Sequence, residues 1–199
     1  MNRNGALKIL SELGNSPNMV KHALACEAAM RALARKLITQ NSELKTVEDE
    51  WGIVGLLHDA DYEATDKLLE RHTDLVTEKL QALRTKQEII DAIRGHCDKA
   101  PRETAAAKAI YAADELTGLI VATALVMPDP TSPELRGAGK KLSQVTVKSI
   151  LKKFKDKSFA KGANREQIKT CETELNIPLP EFCQIVLKSM QEISNDLGL

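Results

Sequence analysis

The sequence predicts an all-α protein, and three observations carry that reading. Ala, Leu, Lys and Glu are plentiful in the 199-residue chain, and these residues lose little freedom in a helix. Apolar residues recur at spacings of three and four rather than two. No long alternating Val/Ile run, the mark of a half-buried strand, occurs.

The elements follow in order. Residues 6–13 read as a short amphipathic helix stopped by Gly14. Ser16-Pro17 has the form of an N-cap and first helical residue. It opens a long helix to about residue 39, with the stripe His22, Cys26, Ala29, Leu33 and Leu37. His22 therefore lies on an apolar face. Thr46 reads as the cap of a helix that runs through Trp51 and Val54 to His58-Asp59. A helix over 68–83 groups His72 with Leu68, Leu69, Val76 and Leu80. Thr85-Lys-Gln-Glu88 has the form of a capping box. The helix it opens carries Ile89, Ile93 and His96 on one side and ends near Cys97, ahead of Pro101.

Residues 103–127 form a long apolar helix with the stripe Ile110, Tyr111, Asp114, Gly118, Val121 and Leu125. Asp114 is the only charge in that stripe, and Gly118 is expected to admit a close backbone approach. The prolines at 128, 130 and 133 break the helical run. Two helices, near 164–175 and 180–197, close the chain. The expected organisation is a helical domain over 1–127 and a smaller basic helical appendage over 128–199 packed on it.

Net charge excludes some partners. The 28 Lys and Arg balance 28 Asp and Glu, so the formal charge is zero and no bulk field draws nucleic acid or membrane. Aromatic residues make up 3%, which leaves few platforms for stacked bases. The charge is uneven, however: residues 136–165 hold ten Lys or Arg against the single acid Asp156. No segment has the roughly 18 uncharged apolar residues of a membrane helix. No leader pattern opens the chain, and the four cysteines show no Cys-x-x-Cys spacing. A cytoplasmic protein with reduced thiols is expected.

The chemistry centres on Leu56-Leu57-His58-Asp59-Ala60-Asp61-Tyr62-Glu63. Carboxylates set beside buried leucines need a counter-charge. The nearest cations in the sequence are Lys45 and Lys67. A divalent cation answers the need, since imidazole nitrogen and carboxylate oxygen are both metal ligands. All four histidines, His22, His58, His72 and His96, fall on predicted apolar faces, as does Asp114. One such histidine is ordinarily a core residue. Four of them, with a His-Asp pair and a lone Asp, suit an ion held at the middle of a bundle.

His22, then His58-Asp59, then Asp114, in that order, resembles the HD superfamily of metal-dependent phosphohydrolases. Leu56-Leu57-His58-Asp59 before an acidic turn and Ala113-Asp114-Glu115 inside a long helix resemble its contexts. Ala92-Ile93-Arg94-Gly95-His96 is similar to the extra-histidine segment of its two-metal members, with His72 as the other extra. The similarity spans 17–126. Ala60-Asp61 stands where a common subset has Ile-Gly, and no Gly-Tyr-Pro signature occurs. The chain after residue 140 looks like the tail of a bacterial subgroup without a defined substrate.

The resemblance implies an HD-type helical bundle whose ligands are His22, His58, Asp59, His72, His96 and Asp114. It implies Mn, Fe, Co, Ni, Mg or Zn, with one ion or two left open. The implied reaction is hydrolysis of a nucleotide or another small, anionic, phosphorylated metabolite. An ion there lowers the pKa of water toward about 7 and offsets phosphoryl charge.

Asp59 is read as catalytic, and as bridging if two ions are present. Asp61 and Glu63 either orient a histidine or the attacking water, or occupy a solvated turn or cap. Lys152, Lys153, Lys155 and Arg94 are read as phosphate-binding residues, against the alternative of a solvated face. Cys97 is expected to be buried filler, because its side chain diverges from that of His96. Two other readings stand beside hydrolysis. One is a two-iron relative that activates oxygen. The other is a non-catalytic regulatory module with a structural metal and a polyanion-binding appendage. A homo-oligomer is compatible with each.

Overall fold

The structure is a computed structural model that describes residues 1–38, 44–127 and 142–199. These contain ten α-helices and a 3-10 turn at Leu142–Gln144, with no strand among the described residues.

Helix α1 (Arg3–Glu12) starts where the Asn2 side chain accepts from the Gly5 N–H. Helix α2 (Pro17–Leu37) starts where Ser16 Oγ accepts from Met19. Both are side-chain caps that satisfy orphan amides. Helix α3 (Leu44–Leu57) delivers the His58-Asp59 pair at its end. The short α4 (Asp74–Ala82) and α5 (Gln87–Gly95) bracket His72 and His96. Thr104 caps the long α6 (Ala105–Leu125), which carries Asp114 at its middle. The last part holds α7 (Val147–Lys155), α8 (Arg165–Glu174), α9 (Leu179–Glu192) and α10 (Ser194–Leu197).

Helices α2 and α6 form the centre. Helix α3 lies along α2, α5 packs on α6 and α3, and α8 and α9 cover the remaining flanks of α6 and α2. One apolar cluster runs from Ala6 through Leu33, Leu57, Ile93 and Leu116 to Phe182 and Leu197. The C-terminal helices thus share a core with the helices that carry the four histidines.

The α2–α3 contact is backbone on backbone. A Cβ placed on Gly55 would lie 2.6 Å from the carbonyl carbon and oxygen of Cys26. Only glycine permits that approach. Gly118, the position expected to serve that purpose, has nothing within 4 Å of an added Cβ. It faces open space because α6 turns that side toward cavities rather than toward a helix.

Other expectations are corrected as well. The helix over 68–83 starts only at Asp74. Leu68 and Leu69 are exposed in a turn region, and Asp66, Lys67 and Thr73 have positive φ. The late start has a local cause, since the Asp61 carboxylate takes the N–H groups of Thr73 and Val76. Thr46 lies inside α3 rather than before it. Lys86, not Thr85, precedes α5, and the buried Thr85 hydroxyl has no hydrogen-bond partner. The basic stretch contains α7, begun by a reciprocal Thr146–Ser149 cap. The closing helix expected over 180–197 is interrupted at Ile193. Thr39 and the proline-rich segment 128–133 lie outside the described residues. No helix among the described residues is long and apolar enough to cross a membrane.

Candidate metal centre

Five helices or their ends contribute to one cluster. His22 comes from the second turn of α2, His58 and Asp59 from the end of α3, and His72 from the turn before α4. His96 sits at the end of α5, and Asp114 mid-way along α6. His58, His72 and His96 are buried, while His22, Asp59 and Asp114 are partly open to a cavity.

The geometry has two sides joined by Asp59. On the first side, His22 Nε2 lies 3.2 Å from His58 Nε2 and 3.1 Å from Asp114 Oδ1. Asp114 Oδ1 is 3.5 Å from His58 Nε2. Asp59 Oδ2 faces this group at 3.6 Å from His22 and 3.7 Å from His58. On the second side, His72 Nε2 and His96 Nε2 are 3.0 Å apart. Asp59 Oδ1 meets them at 3.1 and 3.2 Å. One carboxylate therefore offers an oxygen to each side.

Supporting hydrogen bonds fix the imidazole tautomers. His58 Nδ1 donates to the Gly55 carbonyl at 2.9 Å, and His96 Nδ1 donates to the Ile93 carbonyl. His72 Nδ1 donates to Asp61 Oδ1 at 3.1 Å. Each leaves the Nε2 lone pair aimed inward, the arrangement in which a second partner orients a metal-binding histidine. Asp61 is wholly buried and also accepts from Thr73 N at 2.8 Å and Val76 N at 3.1 Å. The left-handed backbone of Thr73, unusual for a β-branched residue, turns that N–H onto the carboxylate. Strain of this kind concentrates where a neighbouring group must be held in place.

Electrostatics follow from this crowding. Burial alone would lower the pKa of His22 and His58. The anionic character of Cys26 and Asp114, with Asp59 beside His58, outweighs it, and both sit well above the ordinary histidine value. His72 is raised against burial by Asp59 and Asp61. Burial would raise Asp59 and Asp114, but the surrounding histidines hold both below the usual carboxylate range. Among the described residues the ion-pair partners of Asp59 and Asp114 are histidines, with no Lys or Arg.

A divalent ion fits this donor set. Four imidazole nitrogens and two carboxylates converge with separations of 3.0–3.7 Å, close to the edges of a coordination shell with bonds of about 2.1 Å. Cys26 joins His22, His58 and Asp114 within 4.8 Å, and Cys97 joins His72 and His96 on the same criterion. Sequence reasoning missed Cys26 and set Cys97 aside. The signal for Cys26 was its place one turn beyond His22, on the same face.

The cluster opens into a cavity of about 470 Å³. Tyr62 forms part of the wall and meets the His72 ring edge-on at 5.3 Å. Ala160, Gly162, Ala163 and Gln167 close the opposite side. That loop is gathered around one guanidinium: Arg165 donates to the carbonyls of Phe159, Ala160 and Ala163 at 2.5–2.6 Å. Asn164 N donates to Glu115 and the Gln167 amide donates to the Tyr111 carbonyl, both at 2.9 Å, which pins the loop to α6.

The remaining expected site residues lie elsewhere. Glu63 accepts from Ser16 N at 2.6 Å and Ser16 Oγ at 2.9 Å. It secures the start of α2, the cap-like role that is the alternative reading for this residue. Lys152, Lys153 and Lys155 do not line the cavity, and Lys153 lies over the Phe159 ring. Their helix buries Ile150 and Phe154 instead and so turns the lysines outward. Arg94 donates to Thr77 and pairs with Asp74, also away from the cavity wall. Comparison with protein-family models, curated proteins and solved structures returns no match for this chain.

Proposed function

We propose that this protein is a metal-dependent phosphohydrolase of the HD type, acting on a nucleotide or another small phosphorylated metabolite. The single observation that carries the reading is Asp59, with one oxygen toward each histidine set, at the inner end of an open cavity. Bound divalent metal supplies Lewis acidity toward phosphoryl oxygen and lowers the pKa of water to about 7.

The chain's own residues do the rest. His22, His58 and Asp114 would hold one ion and His72 and His96 a second, with Asp59 within reach of both sets. Asp61 keeps His72 in the ligating tautomer, and the Gly55 and Ile93 carbonyls do so for His58 and His96. The cavity volume suits a metabolite-sized ligand. Its lining contains no Lys or Arg among the described residues, so substrate anionic charge falls to the metal to balance. Tyr62 and the 160–167 wall limit the size of what enters.

The test pairs elemental analysis of the purified chain with phosphate release from a phosphomonoester and nucleotide panel under Mn, Co, Fe, Mg, Ni and Zn. Metal-dependent phosphate release that disappears in Asp59→Ala is the expected result. A metal-loaded chain that releases no phosphate and consumes dioxygen instead would establish the two-iron reading in its place.

A further inference from the structure

We infer that Cys26 is a metal ligand, so that the His22–His58–Asp114 side of the centre is a mixed nitrogen, oxygen and sulfur site. The inference requires only that the cluster binds metal; it holds whatever reaction follows.

Geometry comes first. Cys26 Sγ lies 3.8 Å from His22 Nε2, and His22 Nε2 lies 3.2 Å from His58 Nε2 and 3.1 Å from Asp114 Oδ1. All four donor atoms fall within 4.8 Å of one another. A tetrahedral site with nitrogen at about 2.1 Å and sulfur at about 2.3 Å has N–N edges of about 3.4 Å and N–S edges of about 3.6 Å. The His22–Cys26, His22–His58, His22–Asp114 and His58–Asp114 edges lie within a few tenths of an ångström of those values, and the edges from Cys26 to His58 and Asp114 are at most 4.8 Å.

The fold puts the sulfur there by construction. Cys26 is one helical turn after His22, so both point to the same face of α2. Gly55 then lets α3 ride directly on the Cys26 backbone, bringing His58 within reach. In its protonated form the thiol also has a partner. Thr117 Oγ1 gives its own hydrogen to the Asp114 carbonyl at 2.8 Å, leaving its oxygen to accept from Cys26 at 3.4 Å. Metal binding would release that thiol proton to solvent and turn the thiolate toward the ion.

Two of the other cysteines are internal controls, while Cys97 belongs to the His72–His96 donor group. Cys171 and Cys183 are buried among the C-terminal helices and belong to neither donor group. Cys97 donates its S–H to the Arg94 carbonyl at 3.4 Å. A thiolate ligand shifts preference toward Zn, Co, Fe or Ni and away from Mg and Mn.

The experiment loads the full-length wild type, Cys26→Ser, Cys97→Ser and the Cys26→Ser/Cys97→Ser double variant with Co(II) and records the sulfur-to-cobalt charge-transfer band in the near ultraviolet. The band should be present in wild type, persist in Cys97→Ser and vanish in the double variant. The Zn-over-Mn preference should fall by roughly tenfold or more in Cys26→Ser. A band missing from wild type or from Cys97→Ser, or one unchanged in the Cys26→Ser/Cys97→Ser double variant, overturns the assignment. Should Cys26→Ser lose its helical circular dichroism, X-ray absorption of the Zn-loaded Cys97→Ser chain decides instead. A sulfur shell at about 2.3 Å then supports Cys26, and its absence overturns it.

Discussion

Gly55→Ala tests the helix contact on which the centre depends. An added Cβ would stand 2.6 Å from the Cys26 carbonyl and 2.7 Å from the Glu27 amide nitrogen. Ordinary contact begins at 3.4 Å, so the two backbones must part by about 0.8 Å, and neither can rotate away as a side chain would. Overpacking of this kind costs about 1–3 kcal/mol, with the upper end expected against backbone atoms. Alanine's better helix propensity returns about 1 kcal/mol. The net loss is about 2 kcal/mol, or about 4–8 °C in Tm for a domain of this size. The same displacement carries His58 and its Gly55 carbonyl partner away from His22, across a separation of 3.2 Å. Metal affinity should fall about tenfold or more. Thermal unfolding with and without Zn, together with isothermal titration of the apo chain, reads both effects. A Tm within about 2 °C of wild type and unchanged affinity would show that α2 and α3 do not meet as described.

Three further outcomes are expected. Asp61→Asn removes the charge that His72, Thr73 and Val76 share, so metal content per chain should drop on the His72–His96 side with about a 10- to 100-fold loss of affinity, read by metal analysis after dialysis. Metal-induced stabilisation should grow as pH rises from 6.5 through the raised folded values of the histidines, because ligating imidazoles must be neutral. His22, His58 and His72, raised above 6.5, stabilise the metal-free chain at low pH and lose that contribution as pH climbs through their folded values. Asp59 and Asp114, lowered from 3.8, lose theirs only as pH falls through the acidic range, so differential scanning with and without metal at several pH values checks the trend. Arg165→Ala leaves the carbonyls of Phe159, Ala160 and Ala163 without their donor. Amide exchange over residues 156–163 should accelerate at least about tenfold while the α2–α3 core stays protected.

Much of the centre is legible in the sequence because helical periodicity places single residues well. His22 at four residues before Cys26, or Asp114 amid the apolar run of α6, can be assigned to a face without knowing the neighbour. What periodicity cannot supply is which faces meet. Gly55 and Gly118 are both helical glycines, yet only the first lies under another backbone. Leu68 and Leu69 fit a stripe with His72 by spacing but stay exposed, since a carboxylate 12 residues from Thr73 fixes where α4 begins. Glu63 likewise finds Ser16 across 47 residues. The lysines of α7 were visible as charge, but their direction is set by Phe154 and Ile150 packing inward.

The shared carboxylate of Asp59 has a thermodynamic corollary. Because its two oxygens serve different histidine sets, an ion on one side alters the field and the proton occupancy felt on the other. When both sides load, the isotherm is not the sum of two independent hyperbolas. Reciprocity then requires that whatever affinity the first ion lends to or takes from the second is returned in equal measure.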